Sequence, residues 1–506
     1  MTDKIKILST SDLHGYIYPY SYADGKEVNN GLARLCTLID SLRDENMILI
    51  DNGDVLEGSP FTFYHYQKYR DQINPVSEVM KMMNYDFINI GNHDFNYGAK
   101  ALFDHIETTG SLCLTSNILY HEKQLGPDYM IRELCGKRIA FFAVTTQFIP
   151  FWEEPQNIEG FEFLDAYETT KRIVRTIKEK EKTDYIVCIY HGGFEKDPQS
   201  GEPLQEDSGE NEGYRMISQI EGIDILVAGH QHATFCGKAF HTAYTEPAFH
   251  GSYLSCFTID TETDEITPEL FDCDAVPDQR VLDMCQEREN EVQKWLDTPL
   301  GYTSKDLRNA DEFQSRFDKS QLATFINRVQ LAVSGADLSG TAIFLRAKGF
   351  YHDITMRDVV STYFFPNTFF VKKVTGRVLK DYLEKTACFW TVKDEQIIVN
   401  PLWDFPTPMH HNYDMLDGVE YTIKASAPEG EKIRNLTYRG EPVEDDDEFT
   451  LIINSYRAAG SGGYDMIKNA PTVKEIQKDA VEIIGDYISN EKTIDFEDVH
   501  NIRIIK

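Results

Sequence analysis

The chain has no paired cysteine motif, no long apolar run and little positive charge, and each absence excludes something. Its nine cysteines, at positions 36, 113, 135, 188, 236, 256, 273, 285 and 388, are odd in number and include no CxxC pair. They read as reduced thiols in a cytoplasmic protein, and the sequon Asn435-Leu436-Thr437 is then accidental. No apolar stretch approaches the roughly 20 residues of a membrane-spanning helix. The first eight residues lack the apolar core of a secretory signal and run straight into a strand-like segment. Lys and Arg number 50 against 83 Asp and Glu, a formal net charge of −33. That excludes electrostatic capture of nucleic-acid polymers or anionic membranes. An anionic substrate must be held by local positive charge, such as bound metal or a few arginines. There is no internal repeat and no low-complexity tract.

What remains is a globular composition, 41% hydrophobic over 506 residues, too long for one core and enough for two large domains with a connector. In the first half, short runs rich in Ile, Val and Phe alternate with segments of helical period. The runs are Ile5 to Ser9, Ile48 to Asp51, Phe87 to Ile90, Ile139 to Val144, Ile186 to Tyr190 and Ile223 to Ala228. Such alternation predicts an α/β layered domain, in which ligands gather at the carboxyl ends of strands. Near residue 275 the pattern changes. The expected layout is a first domain over 1–275, a connecting helix over 276–300 and a second domain over 301–506. In the second domain, helices are expected over Gln321 to Ser334, Val374 to Lys385 and Val473 to Ser489, and strands over Glu420 to Lys424 and Phe449 to Asn454.

Five segments at strand ends carry the chemistry: Asp12-Leu13-His14, Asn52-Gly53-Asp54, Gly91-Asn92-His93-Asp94-Phe95-Asn96, His191-Gly192-Gly193 and Gly229-His230-Gln231-His232. Any one of them alone reads as a polar turn. Together they supply Asp12, His14, Asp54, Asn92, His191, His230 and His232. Carboxylate, amide and imidazole without cysteine suit two divalent ions such as Mn, Zn, Fe, Co or Mg. Seven ligands exceed one tetrahedral site, and two ions sharing a bridging carboxylate use them all. Such a pair activates water and clamps a phosphoryl oxygen. The spacing of Asp12-x-His14 and His230-x-His232 is compatible with an extended chain sending alternate residues to one face.

These segments, in this order, resemble the calcineurin-like metallophosphatases, and the two-domain layout resembles their 5′-nucleotidase-like branch. The resemblance implies a four-layer α/β/β/α metallophosphatase domain followed by an α+β nucleotidase-type domain. It implies Asp12, His14, Asp54 and His232 on one ion and Asp54, Asn92, His191 and His230 on the other. His93 would be the catalytic histidine. In 5′-nucleotidases that histidine motif is GNHEFD, whose last aspartate partners the imidazole; here Asn96 takes that place, and the adjacent Asp94 is the candidate carboxylate to compensate, so that His93, Asp94 and Asn96 form the candidate catalytic group. The run Gly91 to Gly98 is similar instead to the 2′,3′-cyclic-nucleotide 2′-phosphodiesterase/3′-nucleotidase subfamily, as are Asp51 to Pro60, Phe365-Pro366-Asn367-Thr368, Asn412 to Val419 and Asn454 to Ala458. The 5′-nucleotidase signature NGGGIR is absent, and Gly340 to Arg346 stand near its place. By resemblance, Phe365 and Tyr456 sandwich a nucleobase, with Asn367 alongside and Arg457 and Arg346 as candidate phosphate contacts. His410-His411 reads as loop. The expectation is therefore a metal-dependent nucleotide phosphohydrolase acting on 2′,3′-cyclic nucleotides and 3′-nucleotides, releasing phosphate and nucleoside. The alternatives are a 5′-nucleotidase, a nucleotide-sugar or dinucleotide hydrolase, and a non-catalytic nucleotide-binding protein.

Overall fold

The structure is a computed structural model describing residues 4–204, 209–363, 367–404, 408–476 and 478–506, without the side chain of residue 152. The chain forms two compact units, Met1–Val292 and Gln293–Lys506. The first is built on two six-stranded sheets. In one, Lys4–Thr10, Met47–Asp51, Phe87–Ile88 and Leu112–Cys113 run parallel in spatial order, and Tyr253–Asp260 and Glu265–Asp272 add an antiparallel margin. In the other, Lys137–Thr145, Tyr185–His191, Ile225–Val227 and Thr242–Pro247 are parallel neighbours between two antiparallel edges.

The period of two along each strand divides the residues between two cores. Ile5, Ile7, Ile48 and Ile50 of the first sheet pack with Ile139, Phe141, Ala143, Val187 and Ile189 of the second, so the sheets face each other. Ala140, Phe142, Val144, Ile186 and Cys188 point the other way, onto Ile173, Val174 and Ile177 of helix Ala166–Lys180. On the outer face of the first sheet, Lys6 sends its amine to the Leu42 carbonyl that closes helix Leu32–Leu42, at 2.9 Å. Helices thus cover both outer faces, the expected α/β/β/α sandwich. Strands such as Tyr185–His191 are buried along their whole length because both faces are covered.

The second unit is α+β. Its main sheet runs Met415–Asp417, Leu338–Thr341, Glu448–Asn454, Phe369–Thr375, Thr472–Ile476. Helices Gln321–Ser334 and Gly376–Ala387 start on Ser320 and Thr375, whose hydroxyls accept from the amides of Ala323 and Val378. One expected helix is corrected. The segment from Val473 does not begin as a helix: Thr472–Ile476 is an edge strand on Phe369–Lys372. The helix starts only at Ala480, after Asp479 caps the Val481 amide. An unpaired sheet edge outweighed the local helical period. Helix Gln279–Leu296 joins the units in sequence. Among the described residues no helix is long and apolar enough to cross a membrane.

Candidate dimetal centre

All five segments leave the carboxyl ends of parallel strands of the two facing sheets. They follow Lys4–Thr10, Met47–Asp51, Phe87–Ile88, Tyr185–His191 and Ile225–Val227. Asn52 and Asn89 lace the sheets together at this end. Asn52 donates to the Tyr190 carbonyl at 3.0 Å, and Asn89 donates to Asn52 Oδ1 at 3.1 Å and to the Val144 carbonyl at 2.9 Å.

The local conformation corrects the extended-chain expectation. Asp12, His14, Asp54, His230 and His232 have φ of 54°, 49°, 58°, 73° and 58°, the left-handed region that costs a non-glycine residue about 1–3 kcal/mol in strained settings. Each pair is presented by residues in the left-handed conformation rather than by strand alternation. Two glycines permit the approach: a Cβ on Gly91 would lie 2.1 Å from Asp54 Oδ1, and one on Gly229 would lie 2.2 Å from Ser11 Oγ.

The side chains form two clusters, Asp12, His14, His232 and Asp54, His191, His230. His14 Nδ1 donates to the Glu57 carbonyl at 2.8 Å, so its Nε2 lone pair faces His232 Nε2 at 2.9 Å. His191 Nδ1 donates to the Asn52 carbonyl at 2.7 Å, so its Nε2 faces Asn92 Oδ1 at 3.1 Å and Asp54 Oδ2 at 3.2 Å. His230 meets Asn92 Oδ1 through Nδ1 at 2.8 Å and Glu210 through Nε2 at 2.9 Å. Asp54 Oδ2 also lies 4.0 Å from His14 Nε2, which brings one carboxylate within reach of both clusters. Acceptors converge on acceptors here, with carbonyls and carboxylates behind the imidazoles. This is the donor set of a cation site with its supporting shell, and nitrogen and oxygen donors without sulfur fit divalent ions of the harder and borderline kinds.

The electrostatics of the protein groups agree for Asp12 and His14. Burial alone would raise Asp12, but its hydrogen bond to His232 and the nearby His191 hold the carboxyl at about 2. Burial and the adjacent His232 push His14 down to about 4, favouring the neutral ligand form. Burial opposes a charge on His191, and the Asp54 carboxylate outweighs it and brings the ring up to about 9.

His93 lies beside the first cluster, its ring 5.3 Å from that of His14 and its side chain 30% exposed. Its Nδ1 is 2.8 Å from Asn96 Oδ1 and 3.1 Å from Glu57 Oε2. Asn96 in turn donates to Glu153 at 2.8 Å. Asp94 does not face the imidazole. It is buried and accepts the backbone amides of Asp54, Val55, Leu56 and Gly91 at 2.8–3.0 Å, and so ties the Asp54 loop to the histidine loop. Glu57 and Glu210 escaped the sequence reading. Glu57 sits within the quoted run Asp51 to Pro60, and nothing in that run singles it out.

In the second unit the expected residues separate. Phe365 lies outside the described residues. Asn367 is buried and accepts from Ser455 Oγ at 3.2 Å and the Tyr456 amide at 3.4 Å, bracing that turn. Tyr456 is half-buried, with His411 edge-on at 5.9 Å. Arg457, a candidate phosphate contact, follows Tyr456 in the short helix Ser455–Ala458. Its guanidinium is buried and committed to Asp414, Asn412 and the Ser461 carbonyl. Arg346 is exposed, in a left-handed turn with φ 66°, its amide on Glu312. His410 and His411 open one 3-10 turn, and His410 Nε2 meets Asp404 at 2.6 Å.

Residues 5–234 match the family model of the calcineurin-like phosphoesterases, and residues 299–469 that of the 5′-nucleotidase C-terminal domain. A solved structure of a putative 5′-nucleotidase from Staphylococcus aureus, in complex with alpha-ketoglutarate, is 33% identical and covers 99% of this chain and 100% of its own, with a TM-score of 0.93. The chain belongs to the calcineurin-like phosphoesterases with a 5′-nucleotidase C-terminal domain. It is similar to the 2′,3′-cyclic-nucleotide 2′-phosphodiesterase/3′-nucleotidase of Salmonella typhimurium, 26% identical over 91% of this chain and 82% of that protein. It is also similar to the trifunctional nucleotide phosphoesterase YfkN of Bacillus subtilis, 24% identical over 97% of this chain and 38% of that protein, so it spans well under half of YfkN. This phosphoesterase thus carries the two Asp/His clusters, fit for two divalent ions, inside its metallophosphatase sandwich.

Proposed function

We propose that the chain hydrolyses nucleotide phosphoesters, 2′,3′-cyclic nucleotides and 3′-nucleotides foremost, releasing phosphate and nucleoside. The observation that carries this reading is the double Asp/His cluster around Asp54 with His93 beside it. Asp12, His14, His232 and Asp54 would hold one divalent ion, and Asp54, Asn92, His191 and His230 the other. When bound, such a pair polarises a phosphoryl oxygen and lowers the pKa of a water. The chain's own part is positioning. Asp54 Oδ1 accepts the His93 amide at 2.7 Å, which fixes the catalytic loop to the shared carboxylate. His93 offers Nε2 to a phosphoryl or leaving oxygen. His93→Ala is expected to slow turnover at least about 100-fold, the usual scale of acid–base assistance, with metal content intact; near-wild-type turnover would remove His93 from the mechanism.

Base recognition falls to the second unit, where Tyr456 and Phe365 are the stacking candidates, each aromatic face worth about 1–3 kcal/mol to a base. The net charge of −33 supports small nucleotides over polymers, and nine free cysteines support a cytoplasmic setting. The names of the Salmonella and Bacillus relatives support the substrate class. The Staphylococcus structure, named a putative 5′-nucleotidase, favours a second reading, with Arg346 in place of the missing NGGGIR. Initial phosphate release with manganese decides between them, comparing 2′,3′-cyclic AMP (with a coupling phosphatase), 3′-AMP and 5′-AMP. Preference for the first two is expected. Preference for 5′-AMP transfers the assignment to the second reading, and no turnover of any of them, with or without metal, overturns both in favour of a binding protein.

A further inference from the structure

Resting on the hydrolase reading above, we infer that the Glu57 carboxylate is a positioning residue for His93. Asn96 is oriented by its own partner: its Nδ2 donates to Glu153 Oε2 at 2.8 Å, which turns Oδ1 toward His93 Nδ1, also at 2.8 Å. Glu57 Oε2 approaches the same Nδ1 at 3.1 Å. Both neighbours accept, so Nδ1 carries the proton and Nε2 is the nitrogen left for substrate. An amide and a carboxylate on one N–H are unequal partners, because only the carboxylate supports positive charge on the ring.

Two further observations single out Glu57. Its side chain is 7% exposed, and His93 is its ion-pair partner among the described residues; a buried carboxylate left alone is costly. Its backbone is pinned as well. The Glu57 carbonyl accepts His14 Nδ1 at 2.8 Å, and a Cβ on the following Gly58 would lie 2.7 Å from His14 Cβ. One residue therefore steadies a candidate metal ligand through its main chain and the candidate catalytic imidazole through its side chain.

Glu57→Gln keeps the main chain and removes the charge. Kinetics are measured on whichever phosphoester the wild-type protein turns over, with metal content on the same samples. The ring nitrogens of His93 are followed by NMR of 15N-histidine-labelled protein, a readout that needs no turnover. The expected result is a kcat at least about tenfold lower, KM and metal content within about twofold, and a shifted His93 Nδ1 resonance. Adding Asn96→Asp and Glu153→Gln to Glu57→Gln returns a carboxylate to the same N–H, with the new amide at position 153 donating where Asn96 now donates to Glu153, and is expected to restore most of the kcat and the resonance. Unchanged kcat and resonance in Glu57→Gln would overturn the inference. So would loss of metal, which makes Glu57 a scaffold for His14, and so would failure of the triple variant to recover. A wild-type protein without phosphoesterase activity counts against the hydrolase reading alone, because the resonance still decides the Glu57 contact.

Discussion

Asp94 and His93 are adjacent in sequence and have different work. The Asp94 carboxylate is spent on four backbone amides of two loops, and burial raises it to about 6. Asp94→Asn places a donor against those amides. It is expected to cost about 1–3 kcal/mol, read as a lower unfolding temperature together with weaker metal loading, because the loop it ties down carries Asp54. His105 gives a pH prediction away from the metal cluster. It is buried in helix Gly98–Thr109, 2.8 Å from Ser77 Oγ, and burial lowers its pKa from 6.5 to about 4. Between those values the unfolded chain binds a proton that the folded one refuses. Its stability is therefore full above pH 6.5 and drains as pH falls toward 4, by on the order of 3 kcal/mol at most. His105→Gln should flatten that part of the acid-unfolding curve, measured by denaturant titration at pH 4, 5 and 7.

At the level of elements, the second unit contains buried ion pairs within its apolar packing. Lys319 reaches Asp417 at the end of strand Met415–Asp417, and also Asn501 at 2.7 Å. Burial lowers the lysine and raises the aspartate, each opposed by the other's charge. Lys319→Met leaves Asp417 buried and unpaired, and a loss of about 3–5 kcal/mol is expected in equilibrium unfolding; replacing both partners by apolar residues should recover much of it. Arg457 belongs to the same class. Bound to Asp414, which also accepts from Tyr382 at 2.6 Å, it orders the turn that presents Tyr456. Arg457→Ala is therefore expected to destabilise the unit itself.

For the whole molecule, the convergence of acceptors in the first unit makes metal a structural partner. Chelation should lower the unfolding temperature, and added manganese should raise it with concentration, the stabilisation amounting to about 2.7 kcal/mol at a hundredfold excess over Kd. A calorimetric trace indifferent to chelator would argue against tight metal binding.

How much of this was legible beforehand follows from distance along the chain. The ligand types, their order and the parallel strands that present them are local properties, written in residue identity and period. So is the resemblance to metallophosphatases, carried by five short motifs. Tertiary structure alone decided the rest. The left-handed turns at Asp12, His14, Asp54, His230 and His232 are tolerated because the surrounding packing and hydrogen bonds over-determine them. The choice of Glu57 at His93, Glu210 at His230 and Asp414 at Arg457 joins residues 36, 20 and 43 positions apart. Among 83 acidic side chains, sequence pattern does not say which one faces a given cation; only the approach of the two sheets and their loops brings that carboxylate within a hydrogen bond.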